Sequence, residues 1–107
     1  MNLLTAYNET VRNIPSQTRG MMTRVFQQAI QCGGSVSWFM AKRLAAITSL
    51  PPALILRMSV DAGLSPAVAL KEAIRGLVAD NDSSVPEEHY KDLAQLFGQP
   101  PATGLAA

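Results

Sequence analysis

Proline and glycine residues divide the sequence into segments whose lengths suit short helices. Apolar residues within these segments recur at intervals of three and four, the spacing that places side chains on one helix face. In the first segment they are Leu4, Tyr7, Val11 and Ile14. No segment shows a sustained alternation of β-branched residues, which would indicate a strand. The sequence therefore predicts an all-α fold, a compact bundle of five or six short helices.

Capping signals give the expected boundaries of the next two helices. Ser16 can cap a second helix, and Gly33-Gly34 can end it, because a helix C-terminus favours a residue that tolerates positive φ. Ser35 or Ser37 can cap a third helix. The apolar residues of this third helix are Trp38, Phe39, Leu44 and Ile47.

A nine-residue phrase then occurs twice, as SLPPALILR from Ser49 and as GLSPAVALK from Gly63. Proline suits the first position of a helix, where a missing N–H is no loss, and Pro52 and Pro66 occupy equivalent places in the two copies. Ser65 is a ready N-cap for the second copy. The repeat predicts two short packed helices that begin in the same way.

The last helix is predicted after a polar loop at residues 80–84. Ser84 and Glu87 match a capping box, and Gly98 can end the helix. The remaining segment, QPPATGLAA, has two prolines and no helical periodicity. We therefore expect one helical domain at 1–98 and a flexible tail at 99–107.

The length and composition favour one globular domain. The chain has 107 residues, 48% of them apolar, and its one cysteine cannot form an internal disulfide. Its N-terminus lacks the basic and apolar regions of a signal peptide. The run at 44–56 is uncharged but too short to span a bilayer, which needs roughly 20 residues. These features predict a cytoplasmic protein with no membrane partner.

Charge is unevenly distributed along the chain although the net charge is only +1. The segment 10–60 holds six basic residues and no acidic residue, whereas 61–107 holds seven acidic and three basic residues. Such an asymmetry is typical of an anionic partner or of self-association between opposite faces. The alternative is that the charges average out once the helices pack.

The segment LAAITSLPPALILRM resembles the core of a helix-turn-helix motif. The resemblance implies that residues 41–60 form a DNA-binding unit in which Lys42, Arg43 and Arg57 contact phosphates. Two features depart from the motif: Ser49 stands where glycine is usual, and the second helix would read ALILRMS. A helix that reads the major groove needs polar side chains on its outer face.

The surplus of apolar residues favours protein binding instead. Because Leu54, Ile55 and Leu56 are consecutive, at least one of them is expected to point outward. The residues predicted to bind a protein partner are Met21, Leu54, Leu56, Arg57 and Met58, with Arg43 also at the rim. Exposed Met and Leu side chains adapt well to partner surfaces.

Catalysis, metal binding and a small-molecule substrate are not predicted, and no cofactor is expected. One His and one Cys cannot form a structural zinc site of the usual type. His89 is expected to face solvent and Cys32 to be a packed thiol. The predicted function is that of a small non-enzymatic regulatory or adaptor protein that binds another protein through an apolar helical surface and acts as a homodimer. The alternative is a helix-turn-helix regulator of transcription that binds DNA through residues 41–60.

Overall fold

The computed structural model describes residues 3–82 and 85–98, and this part of the chain is all-α, as predicted. It contains six α-helices and one 3₁₀ turn, at Glu87–His89, directly before the last helix. The helices are α1 (Leu3–Asn13), α2 (Ser16–Gly33), α3 (Trp38–Thr48), α4 (Pro52–Asp61), α5 (Pro66–Ala79) and α6 (Tyr90–Phe97). The predicted tail at 99–107 lies outside the described residues.

The repeated phrase marks two helix starts, which confirms its interpretation. Pro52 is the first residue of α4 and Pro66 is the first residue of α5. Gly63, in the turn between them, has φ of 116°, a conformation that favours glycine. Ser65 is at the N-cap position of α5, but its side chain makes no capping hydrogen bond.

Most other boundaries also follow the predicted signals. Ser37 caps α3, and its Oγ accepts a hydrogen bond from the Met40 N–H at 3.1 Å. Gly34 ends α2 in the left-handed conformation, with φ of 72°. Two expectations were wrong. Ser16 is the first residue of α2 rather than its cap, and Glu87 begins a 3₁₀ turn rather than an α-helix.

Helix α4 lies at the centre of the molecule and packs against α2, α3, α5 and α6. Every residue from Ala53 to Val60 is buried as a result. Helices on several sides allow a short apolar helix to be hidden on its whole circumference, since each neighbour covers one face. This arrangement accounts for the consecutive apolar residues of α4 without any exposed face.

No single helix in the described ranges is long and apolar enough to cross a membrane. Helices α3 and α4 together match a span by length and composition, but their axes are bent by 104°.

Candidate protein-binding site

Three of the predicted partner-binding residues lie in the interior. Leu54, Leu56 and Met58 are all buried, so the expectation that they form an exposed surface was wrong. The physical reason is the central position of α4, which leaves none of its apolar positions facing solvent. Met21 alone among the apolar candidates lies near the surface, where it is partly buried on α2.

Arg57 was also expected at the surface, and only 1% of its side chain is exposed. Its Nε donates to the Leu96 carbonyl at 2.8 Å, and its Nη1 donates to Asp61 Oδ1 at 2.7 Å. Its guanidinium also lies over the Tyr7 ring, 5.1 Å from the centroid. Arg57 therefore joins α1, α4 and α6, and it is not placed to contact a phosphate.

Tyr7 completes this buried network. Its hydroxyl donates to Asp61 Oδ2 at 2.7 Å. Burial raises the pKa of Tyr7, and the nearby Asp61 carboxylate raises it further, because both disfavour the phenolate. Because the folded-state pKa is raised, Tyr7 contributes stability that is fully present below the ordinary tyrosine pKa of 10.0 and is lost as the pH rises above it toward the raised folded-state pKa.

The helix-turn-helix resemblance extends to the geometry of the corner but not to its exposure. Helices α3 and α4 are joined by three residues and cross at 104°, and Ser49 adopts the left-handed conformation with φ of 64°. Helix α4, however, would have to enter the major groove of DNA, and its side chains from Ala53 to Val60 are buried. The corner therefore serves to place α4 in the core.

The other two candidate phosphate contacts are exposed, but one is engaged. Lys42 Nζ lies 2.8 Å from Asp80 Oδ2, which also accepts a hydrogen bond from the Trp38 indole N–H at 2.8 Å. The hydrogen bonds from Lys42 and then from Trp38 lower the pKa of Asp80. Arg43 stacks over the exposed Phe39 ring, 5.8 Å from its centroid.

This arrangement predicts an acid-sensitive contribution to stability. Because the folded-state pKa of Asp80 is lowered, its contribution is present above the ordinary carboxyl pKa of 3.8 and is lost as the pH falls below it. We expect Asp80→Asn to flatten the fall in unfolding free energy between about pH 5 and pH 3. Denaturant titrations followed by the fluorescence of Trp38, the single tryptophan, measure this change. An unchanged pH slope would contradict the assignment.

An apolar groove lies between α2 and α3. Its volume is about 410 Å³. We call it the α2–α3 groove, and its walls are formed by Met21, Val25, Phe39, Met40, Arg43 and Ile47. Phe39 and Ile47 are each 67% exposed, which is unusual for side chains of this size. Ile47 also borders a second recess of about 460 Å³ next to α1.

The groove exists because α3 is apolar on two faces. One face carries Trp38, Ala41 and Leu44, all of them buried. Phe39 and Ile47 lie eight positions apart, with Arg43 midway, so these three residues form a second stripe along the same helix. Burial of the first stripe leaves Phe39 and Ile47 of the second largely exposed.

Helix α2 forms the other wall and is only partly covered. It has 18 residues, of which only Met22 and Phe26 are buried. Met21 and Val25 are partly buried on the groove side of this pair. The α2 edge of the groove is therefore accessible. Two Met side chains line the groove, Met21 from α2 and Met40 from α3.

The two helices that form the groove carry basic residues but no acidic residues. Arg43 lies on the α3 wall, whereas Arg24 is exposed on α2 outside the groove lining, with its guanidinium next to Gly20. The apolar surface is therefore bordered by positive charge that no carboxylate of either wall helix balances.

The sequence analysis named Phe39 and Ile47 as apolar residues of the third helix but did not single them out as a binding surface. The available signal was the four-residue spacing of Phe39, Arg43 and Ile47, which places a charged side chain in the middle of an apolar stripe. An arginine there indicates that the stripe faces solvent rather than the core.

The residues considered for chemistry lie apart from this groove. His89 is exposed, as predicted. Cys32 is exposed as well, so the expectation of a packed thiol was wrong: the last turn of α2 extends beyond Phe26, its last buried residue. Within 3–82 and 85–98, no three His, Cys, Asp or Glu side chains are grouped to hold a metal ion.

Comparison with known proteins adds no relative to this description. No protein-family model, curated protein or solved structure shows significant similarity to the chain.

Proposed function

We propose that the protein is a small non-enzymatic regulatory or adaptor protein that binds another protein through the α2–α3 groove. The observation that carries the proposal is the exposure of Phe39 and Ile47, each 67% accessible, beside an apolar groove. Contiguous exposed apolar surface on a small domain is typical of a binding site. The Met residues in its walls suit a surface that adapts to a partner.

The proposal assigns the groove to a different protein rather than to a second copy. In a symmetric dimer the same patch faces itself, so groove-to-groove contact would bring Arg43 of each copy close to the other's basic border. The homodimer predicted from the sequence stays a prediction, which sedimentation velocity at increasing protein concentration tests. A cytoplasmic location also stays a prediction.

A role in transcription, under this proposal, is exerted through the bound protein. The DNA-binding alternative needs a second helix with exposed side chains, and every residue of α4 from Ala53 to Val60 is buried. Of its three proposed phosphate contacts, Arg57 is buried and Lys42 is paired with Asp80.

The test is a comparison of partners bound by groove and control variants in cells that express the protein. Phe39→Glu combined with Ile47→Glu places two charges in the groove without disturbing a buried residue. Val78→Glu is the matched control, because Val78 is 63% exposed on α5 and lies outside the groove. Circular dichroism confirms that each variant is folded.

We expect the double variant to lose, by at least about tenfold, the proteins that co-purify with the wild type and with Val78→Glu, since a charge buried at an apolar interface is strongly unfavourable. Quantitative mass spectrometry measures this loss. If the same proteins are recovered with the groove variant as with the wild type, the groove is not the binding site and the proposal fails.

A further inference from the structure

The borders of the α2–α3 groove limit the chemistry of what can occupy it. Arg43 is exposed in the α3 wall of the groove, and no acidic residue occurs anywhere on α2 or α3. A partner with basic flanks would meet like charge there, whereas acidic flanks would meet opposite charge. Complementary charge at the rim of an interface selects partners and raises the rate of association.

The shape of the groove favours a helix as its occupant. Two helices form its walls, and amphipathic helices dock into such grooves through large apolar side chains at positions i, i+3, i+4 and i+7. Phe39 and Ile47 are eight residues apart on α3, which is about 12 Å along a helix axis. A third helix lying along α3 would therefore contact both with side chains about two turns apart.

We infer that the α2–α3 groove binds an amphipathic helix of another protein, with large apolar residues on one edge and Asp or Glu residues on the flanks. This inference rests on the proposed function, because it names the class of partner for the same groove. Phe39 and Ile47 supply the apolar contact, and Arg43 selects for acidic flanks.

A membrane surface or a nucleic acid fits the groove less well. The positive charge in the groove lining is that of Arg43 alone, and the neighbouring Lys42 is paired with Asp80. Single-stranded nucleic acid needs several aromatic platforms, and Phe39 is the single exposed aromatic side chain among those that line the groove. The apolar walls are better matched by aliphatic and aromatic side chains on a helix.

The experiment uses the full chain and two fluorescein-labelled helical peptides of about 16 residues. Both carry the same Leu and Phe edge, one with Glu flanks and the other with Lys flanks. Fluorescence anisotropy gives their affinities at about 50 mM and 200 mM salt. A labelled random-sequence DNA duplex and anionic phospholipid vesicles are titrated in parallel.

We expect the Glu-flanked peptide to bind at least about tenfold more tightly than the Lys-flanked peptide, with a smaller difference at the higher salt concentration. Arg43→Glu should reverse this preference. Phe39→Glu combined with Ile47→Glu should abolish binding of both peptides, and Val78→Glu should leave both affinities unchanged.

Four outcomes would overturn the inference. The first three are equal or tighter binding of the Lys-flanked peptide, an unchanged preference in Arg43→Glu, and tighter binding of the duplex or the vesicles than of the Glu-flanked peptide. Failure of both peptides to bind, while cellular partners are still lost on Phe39→Glu with Ile47→Glu, would also overturn it and would leave the proposed function standing. Unchanged cellular partners would instead remove the proposed function itself.

Discussion

Replacing Gly76 by alanine lowers the free energy of unfolding by about 3 kcal/mol, the upper end of the usual cost of overpacking. Gly76 is buried on α5, where an added Cβ would overlap the Cγ, Cδ2 and Cε2 atoms of Trp38. The indole cannot withdraw easily, because its N–H donates to Asp80 and the Trp38 backbone N–H donates to Glu72 Oε2, each at 2.8 Å. The substitution must therefore shift α3 relative to α5 or break these bonds.

Gly20→Ala is the matched control, because Gly20 is also inside a helix. Its added Cβ would meet only the far end of the Arg24 side chain, at 3.8 Å. The gain in helix propensity should raise the unfolding free energy by about 0.5–1 kcal/mol. Guanidinium titrations measure both changes. Equal effects of the two substitutions would show that Trp38 is not held tightly against α5.

The second large effect is expected at the buried network of Arg57, Asp61 and Tyr7. Asp61→Asn should lower the unfolding free energy by about 3 kcal/mol, because it leaves a buried cation without its carboxylate. Arg57→Met should cost less. Methionine fills much of the same space, and the remaining Asp61 is 20% exposed and keeps the Tyr7 hydrogen bond.

A double-mutant cycle tests whether the effects of Asp61→Asn and Arg57→Met are coupled. Arg57→Met combined with Asp61→Asn should be less destabilised than the sum of the single variants, since neither charge is then left alone. Urea titrations of the four proteins measure the cycle. Additive effects, or a larger loss in Arg57→Met than in Asp61→Asn, would contradict the account of Arg57 as a cation stabilised by Asp61.

Local signals in the sequence were sufficient to predict most helix boundaries. Pro52, Pro66, Gly34 and Ser37 act through the conformation of their own backbone or through a hydrogen bond to a residue close in sequence. Such interactions do not depend on how the helices pack. The prediction that the repeated phrase marks two helix starts succeeded for this reason.

The position of α4 could not be predicted in the same way. Periodicity identifies the buried face of a helix covered on one side, but it gives no information on how many neighbours surround the helix. Leu54, Leu56 and Met58 therefore looked like surplus surface, while the neighbouring helices bury all three. The burial of Arg57 was not predicted, because one of its hydrogen-bond partners, the Leu96 carbonyl, is 39 residues away in the sequence.

The candidate site was predicted only in part. Met21 and Arg43 do line the α2–α3 groove, but Phe39 and Ile47, its most exposed apolar residues, were not distinguished from the buried apolar residues of α3. The buried stripe of α3 is the one that carries Trp38, whose ring packs directly against Gly76 of α5. That contact links residues distant in sequence, and helical spacing alone does not reveal it.

The most direct test of the central claim, that the α2–α3 groove is a protein-binding surface, is site-specific photo-crosslinking in cells. A benzophenone amino acid replaces Phe39 in one variant and Val78, the equally exposed control, in another. The account predicts a discrete crosslinked protein at position 39 and none at position 78. Absence of a crosslink at position 39, or the same adducts at both positions, would contradict it.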